Sequence, residues 1–404
     1  MSRLKRYRDV NVLDAARARV KYAFDNFTKV YVSFSGGKDS SVMLHLAIDE
    51  AIARKRKIGV LLIDLEAQYS ATIQHVEEMF ALYAEHLDIH WVCLPLSLRN
   101  AVSNYEPRWC CWEPGIEDQW VRPMPTYPNV VSDLKAYPFF SPKMEFEEFI
   151  VDWAEWYSQG EMTCGLIGIR CDESLNRFRT IAARFKDMHN NVRYTTKIVG
   201  NCYNLYPIYD WRTEDIWRYH GSHPDRPHNT VYDQMYNAGL PLSQMRLCQP
   251  YGDDQRRGLW LYHILEPQTW FKLVVRVNGA NSGSMYVQET GNVAGYGKVT
   301  KPEGHTWKSF CNLLLASLPA PTREHYAKRF RGFISGWKGR GYSEGIPDEA
   351  PRILEETHWA PSWRRMCKVL LRNDWWCKGL GLTQPVSEAY SKFKRLKQSG
   401  VYST

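Results

Sequence analysis

The sequence predicts an α/β protein: a parallel sheet with helices on both faces, followed by a mixed, mainly helical C-terminal region. Three short runs rich in β-branched and apolar residues, at 30–34, 58–65 and 89–96, have the pattern of buried strands. Helical periodicity precedes the first run and follows the first two, and this alternation indicates crossover connections in a parallel sheet. The chain of 404 residues is long enough for two or three domains.

The individual elements follow from local patterns. The helical spacing of Val20 and Phe24 predicts the first helix, over 12–27. Further helices are predicted at 40–54, 71–87, 174–184 and 213–220, and a further strand at 163–169.

Two changes of pattern divide the chain. The alternation stops at Ser97, and residues 97–145 contain seven prolines, which indicates an insertion or a long ordered loop with the character of a lid. After about residue 245 the alternation fades into glycine-rich and aromatic segments. We therefore predict a first domain over 1–245, with the insertion inside it, and a second domain over 246–404.

The composition argues against several classes of protein. No run of about 18 apolar residues occurs, so a membrane span is not expected. Residues 1–14 are charged and lack the apolar core of a secretion signal. The ten cysteines show no regular framework, and we interpret them as reduced thiols of a cytoplasmic protein.

The net charge of +8 is concentrated near the C-terminus. Residues 323–404 contain 16 Lys and Arg against 8 Asp and Glu, whereas the preceding residues contain 36 of each sign. In 362–380 basic residues alternate with tryptophan, a pattern in which cations can bind phosphates and rings can stack on bases. Nucleic acid is therefore a hypothesis for this region. A helix packed through Trp and Leu, with a solvated basic face, is the alternative.

The stretch SGGKDS at 35–40 follows the first predicted strand and precedes a helix. Gly36 and Gly37 allow a tight turn and a close approach to a ligand. Free N–H groups of such a loop and of the first helical turn point at an anion, with the help of the helix dipole. Lys38 adds a mobile positive charge, and Asp39 suits a Mg²⁺ ion that bridges phosphate oxygens. A tight turn with incidental polarity is the alternative.

This stretch resembles the PP-loop of the N-type ATP pyrophosphatases, whose signature is Ser-Gly-Gly-x-Asp-Ser after a strand. The resemblance implies a Rossmann-like fold of the adenine nucleotide alpha hydrolase-like type, with bound ATP and Mg²⁺. It also implies that Lys38 and Asp39 are catalytic and that Asp39 reaches the metal through the phosphates. The nucleotide-binding residues that it implies here are Ser33, Ser35, Gly36, Gly37, Lys38, Asp39, Ser40 and Ser41.

The stretch GIRCDESLNR at 168–177 follows a later predicted strand, and its two arginines suit phosphate or sulfate. It resembles the Gly-x-Arg-x-x-Glu-Ser-x-x-Arg segment of phosphoadenosine phosphosulfate (PAPS) reductases and their relatives. The resemblance implies that Arg170 and Arg177 are catalytic. The alternative is a helix N-terminus with solvated charges. The nucleotide contacts implied in this segment are Gly168, Arg170, Glu173 and Ser174.

Other segments extend the resemblance. YPIYDWRTEDIW at 206–217 is similar to the Pro-Ile-x-x-Trp-x-x-x-Asp-Val-Trp stretch of the same family, and we interpret it mainly as packing. Asp64 ends the second predicted strand, where this fold holds adenine and ribose; a polar residue that merely ends a strand is the alternative. Later segments, such as EGIPDEAP, resemble an IbrA-like subgroup that is often paired with a ParB/sulfiredoxin-like protein. A protein partner of that kind is therefore implied.

The resemblance fails where reductases carry their redox cysteine. Their C-terminal Glu-Cys-Gly-Leu-His segment is missing here, and the nearest analogue is Cys377 in WWCKGLGL. The lysine beside Cys377 could lower a thiol pKa, but we prefer to interpret this residue as structural. No iron–sulfur cluster is expected, because the pair Cys110 and Cys111 has no second pair. No structural zinc is expected, because no Cys-x-x-Cys occurs.

Three functions are compatible with these patterns. In the first, an enzyme binds ATP with Mg²⁺, adenylates an acceptor and releases pyrophosphate, within a sulfur-transfer or nucleic-acid modification system. In the second, a sulfonucleotide reductase or sulfotransferase-like enzyme acts on PAPS or adenylyl sulfate. In the third, a nucleotide-sensing regulator acts with a ParB-like partner or DNA. All three share the α/β fold and an adenine nucleotide.

Overall fold

The structure is a computed structural model that describes residues 9–103, 105–183, 186–247, 251–252, 259–279 and 299–383. In these ranges the strands are β1 Lys29–Ser33, β2 Ile58–Ile63, β3 Leu87–Val92, β4 Ser97–Arg99, β5 Arg108–Cys110, β6 Val130–Val131, β7 Thr163–Ile167, β8 Thr195–Val199 and β9 Cys202–Leu205. Seven of them form one sheet in the order β6-β3-β2-β1-β7-β9-β8, and β4 pairs with β5 in a second sheet.

The α-helices are distributed along the whole described chain. In its first part they are α1 Val12–Asn26, α2 Lys38–Ala53, α3 Ser70–Tyr83, α4 Phe146–Ser158, α5 Leu175–Ala182, α6 Thr213–Ser222 and α7 Val231–Asn237. Later they are α8 Leu259–Leu265, α9 Pro267–Arg276, α10 Trp307–Ser317, α11 Ala320–Lys338, α12 Arg352–Glu356 and α13 Trp363–Leu371. Every helix among the described residues is too short or too polar to cross a bilayer.

Strand β1 lies at the centre of the large sheet. It pairs in parallel with β2 on one side and with β7 on the other, and its middle residues Val30, Tyr31 and Val32 are buried. Because parallel strands end at the same edge, the segments that follow β1 and β7 lie next to each other. The α/β fold with a mostly parallel sheet, predicted from the alternation of elements, is confirmed.

One edge of the sheet departs from the parallel pattern. Strands β8 and β9 pair antiparallel, with Thr195 opposite Leu205. Gly200 has a positive φ of 46° between them. The sequence analysis did not predict this hairpin, because its strands are only partly buried and so show no continuous apolar run.

The proline-rich insertion is built into the opposite edge of the sheet. Strand β6 adds to β3 in parallel, with Trp91 beside Val130. Within the insertion, Trp112 and Val121 are buried in the core. The indole of Trp112 donates a hydrogen bond of 2.8 Å to the carbonyl oxygen of Asp64. The insertion is therefore an integral part of the sheet edge.

The buried apolar residues form two clusters. The first runs from Ala16 to Val277 and surrounds the large sheet. The second runs from Trp307 to Leu380 and is formed mainly by α10, α11 and α13. Residues of α8 and α9 belong to the first cluster, so this core continues beyond the boundary predicted near residue 245.

A polar contact joins the insertion to the second cluster. The guanidinium of Arg99 donates to the carbonyl and side-chain oxygens of Asn373, at 3.1 and 3.2 Å. The amide group of Asn373 donates in turn to the carbonyl oxygen of Ala101 at 3.0 Å. Both side chains are buried, so these bonds are shielded from competing water.

Packing across β1 and β7 gives a direct test of this sheet. Gly165 lies opposite Tyr31, and a Cβ atom at Gly165 would come within 2.5 Å of the buried Tyr31 ring. We expect Gly165→Ala to lower the free energy of unfolding by about 1–3 kcal/mol, measured by urea denaturation. Gly221→Ala is the matched control, because space is open around this residue of α6. A Gly165 variant as stable as the control would contradict the register.

Candidate functional site

The loop between β1 and α2 is shaped by its two glycines. Gly36 has a φ of +69°, and a Cβ atom there would lie 2.7 Å from the Thr72 methyl group. Gly37 is the N-cap of α2, which begins at Lys38 and has no side-chain cap. The first turn of α2 therefore presents its positive dipole end to the space above the loop. An anion is the ligand that such a turn favours.

The serines of the loop hold its shape from inside. The hydroxyls of Ser40 and Ser41 donate to the carbonyl oxygen of Gly37, at 2.9 and 3.1 Å. The Ser35 and Ser40 hydroxyls are 3.1 Å apart. Ser35 is exposed, whereas Ser40 and Ser41 are buried. Of the serines predicted to bind a nucleotide in the loop, Ser35 is thus the one open to solvent, and Ser33 lies half-buried at the end of β1.

A buried ionic cluster stands beside the loop. The ammonium of Lys38 lies 2.8 Å from one carboxylate oxygen of Asp39, and the guanidinium of Arg170 binds the other oxygen. The side chains of Lys38, Asp39 and Arg170 are 4%, 13% and 2% exposed. Burial alone would raise the pKa of Asp39, but the two cations lower it below its ordinary value. Asp39 is therefore ionised at neutral pH.

The second motif packs directly against the start of α2. A Cβ atom at Gly168 would lie 3.2 Å from the carbonyl oxygen of Asp39, so a small residue lets the two segments meet. The carboxylate of Glu173 accepts from the backbone N–H of Arg170 at 3.0 Å and pairs with Arg177. Ser174 caps α5 by accepting from the backbone N–H of Arg177. The structure thus brings the two predicted motifs together.

Two residues that the sequence analysis missed hold the loop from the side of α7. The amide group of Asn229 donates to the carbonyl oxygen of Gly36 at 2.8 Å and to the Thr72 hydroxyl at 3.0 Å. The Tyr232 hydroxyl accepts from the backbone N–H of Lys38 at 3.1 Å, and the Lys38 ammonium lies over the Tyr232 ring. They stand in a polar turn and a short helix, which carry no distinctive pattern.

Asp64 lies apart from this cluster and is completely buried. Its carboxylate accepts from the Glu66 backbone N–H at 3.0 Å and from the Trp91 indole at 3.0 Å, and it pairs with Arg122. Trp91 lies in β3 and Arg122 in the insertion. Asp64 therefore organises the junction between sheet and insertion. Its predicted contact with adenine or ribose stays a prediction.

The cysteines that were candidates for chemistry are buried. Cys377 is fully buried, and burial raises the pKa of its thiol to about 12. That shift is opposite to what a redox nucleophile needs, so the structure favours packing as its role. Cys110 and Cys111 are also buried, and burial raises the pKa of both thiols. Among the described residues no group of three His, Cys, Asp or Glu is placed to hold a metal ion.

Comparison with known proteins places this site in a family. Residues 29–239 match the phosphoadenosine phosphosulfate reductase domain, which covers both motifs. The chain therefore belongs to the PAPS reductase domain family, and its fold is the nucleotide-binding fold of that family. Residues 239–349 match a domain of unknown function, DUF3440.

Individual proteins give similarities of different strength. "Uncharacterized protein YbdN" of Escherichia coli K12 is 40% identical over 395 residues, 96% of this chain and 95% of that protein. A PAPS reductase of Candida auris in a phosphate complex is 14% identical, covering 55% of this chain and 84% of the other, with a TM-score of 0.30. A Candida glabrata FMN adenylyltransferase in complex with FAD and pyrophosphate is 16% identical, covering 55% of this chain and 58% of the other, with a TM-score of 0.31.

The support that Asn229 gives to the loop is testable without a ligand. Asn229→Ala removes two donated hydrogen bonds and leaves the Gly36 carbonyl without this buried partner. We expect the free energy of unfolding to fall by about 1–3 kcal/mol, measured by chemical denaturation. Asn201→Ala is the control, because its single bond to Gly160 is exposed. Equal losses in the two variants would contradict a special role for Asn229.

Two buried histidines near α2 predict a loss of stability in weak acid. Burial lowers the pKa of His45 to about 2 and that of His75 to about 3, whereas an unfolded histidine titrates near pH 6.5. Protons therefore bind the unfolded chain more tightly, and stability falls as the pH drops below about 6.5. Each residue is expected to cost about 2 kcal/mol between pH 7 and pH 5.

The measurement is urea denaturation at several pH values. His75→Gln should reduce the loss of stability between pH 7 and pH 5 by about 2 kcal/mol. The exposed His263 supplies the control His263→Gln. If the free energy of unfolding of His75→Gln depends on pH as steeply as that of the wild type, the inference that His75 is buried in its neutral form is wrong.

Proposed function

We propose that the protein is an enzyme that binds an adenine nucleotide, ATP with Mg²⁺, over the loop at 35–41 and acts at its α-phosphate. The observation that carries the proposal is the buried cluster of Lys38, Asp39 and Arg170 beside the N-terminus of α2. Such a cluster places two cations, of which Arg170 also pairs with Asp172, next to a helix end that favours an anion. Membership of the PAPS reductase domain family supports an adenine nucleotide as that anion.

The proposed reaction is an adenylyl transfer. An acceptor nucleophile forms a bond to the α-phosphorus, its proton passes to solvent, and the bond to the bridging oxygen breaks. Pyrophosphate leaves with the electron pair of that bond. Lys38 turns from Asp39 toward the leaving phosphates, and Arg170 offsets the charge that develops on the transferred group. The protein contributes mainly by positioning the reacting groups.

We propose that Mg²⁺ binds only together with the nucleotide. Asp39 is one carboxylate between two cations, so a metal beside it also needs the negative charge of phosphates. Mg²⁺ usually binds in this way, through one or two carboxylates and substrate phosphates. Asp39 fits the role, and the ion would withdraw charge from the phosphate oxygens.

The remaining predicted residues have supporting roles in the proposal. Ser35 and the backbone of Gly36 and Gly37 face the phosphates, while Glu173 keeps Arg170 and Arg177 in place. Asp64 would have to share its oxygens with Trp91 and Arg122 to bind a ribose, which makes it the weakest member of the proposed site.

A sulfonucleotide is the second candidate ligand, because the matching domain is named for PAPS reduction. The same cations would then bind its phosphates and sulfate. Reduction requires an accessible thiolate, and Cys377 is buried with a raised pKa.

We also propose that the chain falls in the IbrA-like subgroup, with a ParB-like protein or nucleic acid as partner. In a purely regulatory version of this role the nucleotide is bound and not turned over.

The first experiment is to incubate the full chain with Mg²⁺ and α-labelled ATP, and separately with PAPS, and to resolve the products. We expect labelled AMP or an AMP adduct, with pyrophosphate. Lys38→Ala and Asp39→Ala should each lower the rate by about 100-fold or more, because the first removes a cation that acts on the phosphates and the second removes the carboxylate proposed to hold their Mg²⁺.

The control variant is Lys57→Ala, which removes an exposed lysine just before β2, at the opposite edge of the parallel sheet from the loop. Sulfite and adenosine bisphosphate formed from PAPS with a thiol, in the absence of an ATP product, would favour the second candidate. Tight nucleotide binding with no product from either compound, even with added nucleic acid or partner, would overturn the enzymatic proposal in favour of a regulator.

A further inference from the structure

A cavity lies in the C-terminal region. Its volume is about 430 Å³, and every residue that lines it falls within 299–372. It is formed where 299–301, the start of α10, α12 and α13 meet. None of these residues belongs to the two motifs of the nucleotide site. Its size lies within the range of pockets for small ligands.

Helix α13 supplies one wall of this cavity with a stripe of cations. Arg364, Lys368 and Arg372 follow one another at intervals of four residues, so they lie on one face about 6 Å apart along the axis. The opposite face of α13, with Met366, Cys367 and Leu370, is buried in the second core. Packing against that core therefore forces all three cations toward the cavity.

The lining carries a surplus of positive charge. Lys301 and Arg352, from other segments, add two cations to the lining, and both are exposed at the cavity. Glu349 and Glu356 also line it. With the buried Glu355 included, five cations face three carboxylates, which leaves a surplus of two.

Glu355 shows how the protein holds this charge in place. Its buried carboxylate lies 3.0 Å from the Arg364 guanidinium and 3.7 Å from the Lys368 ammonium. Ser362 donates a further hydrogen bond to it. Burial lowers the pKa of Lys368, the attraction of Glu355 offsets part of that shift, and repulsion from Arg364 and Arg372 adds to it. An anion in the cavity would relieve that repulsion.

We infer that this cavity binds a small phosphorylated ligand with at least two negative charges, such as pyrophosphate or a nucleotide. Two features favour a small ligand over a nucleic-acid strand. The cations line a concave cavity of limited volume, and three of them stand on one short helix and its C-cap. Polyphosphates present closely spaced charges that match such a stripe, and guanidinium groups bind phosphate bidentately.

The experiment labels lysines of the full chain with a limiting amine-reactive acetyl reagent and quantifies each site by mass spectrometry. Inorganic pyrophosphate, ATP and a single-stranded oligonucleotide are compared at matched ionic strength. We expect pyrophosphate and ATP to suppress labelling of Lys301 and Lys368. Lys328 and Lys338 on α11 are exposed and lie outside the cavity, so their labelling should not change. Lys38→Ala should leave the protection intact, since the loop is a different site.

A binding measurement completes the test. Arg352→Gln with Lys368→Gln should weaken calorimetric binding of pyrophosphate, measured in the Lys38→Ala background, by roughly tenfold. The control pair is Lys328→Gln with Arg331→Gln, which removes the same charge from α11. Unprotected Lys301 and Lys368, or equal affinities in the two pairs, would overturn the inference. Protection by the oligonucleotide alone would overturn it in favour of nucleic acid.

Discussion

The site depends on one carboxylate buried between two cations at the end of the central strand. An unpaired charge at Asp39 would be costly at this depth, so Lys38 and Arg170 have to be held against it. Arg170 comes from the segment after β7, and it reaches Asp39 only because β7 pairs directly with β1. The strand order of the sheet is therefore a condition for the ionic cluster, and the cluster in turn ties the two motifs together.

A second set of buried charges organises the other side of the sheet. Asp64 and Glu66 follow β2, and Glu66 accepts from the backbone N–H groups of Trp112 and Val121 at 2.7 and 2.9 Å. Arg276 of α9 reaches Glu66 as well. The insertion is thus fastened to the sheet by carboxylates, and its hairpin carries Arg99 to Asn373 in the second core. Polar contacts link both cores through the insertion.

The sequence was sufficient to predict the α/β fold and the position of the loop, because buried strands and a glycine turn have strong local patterns. Arg170 was identified through the resemblance of its segment to a motif of PAPS reductases. The contributions of Asn229 and Tyr232 could not be predicted, because hydrogen bonds to a backbone distant in sequence produce no repeating pattern of residues. The β8–β9 hairpin was not predicted, because its strands are only partly buried and lack a continuous apolar run. The pairing of Asp64 with Arg122 could not be predicted either, because it depends on how the insertion packs against the sheet.

The central position of β1 has a consequence for folding during synthesis on the ribosome. Strand β7, its second neighbour, begins about 130 residues after β1 ends. A ribosome that adds about 5–20 residues per second needs on the order of 10 s to deliver it. During that interval a growing chain with β1 to β3 already paired would expose the free edge of β1, an apolar template for other strands. The same strand that later carries the loop is then open to pairing with other chains.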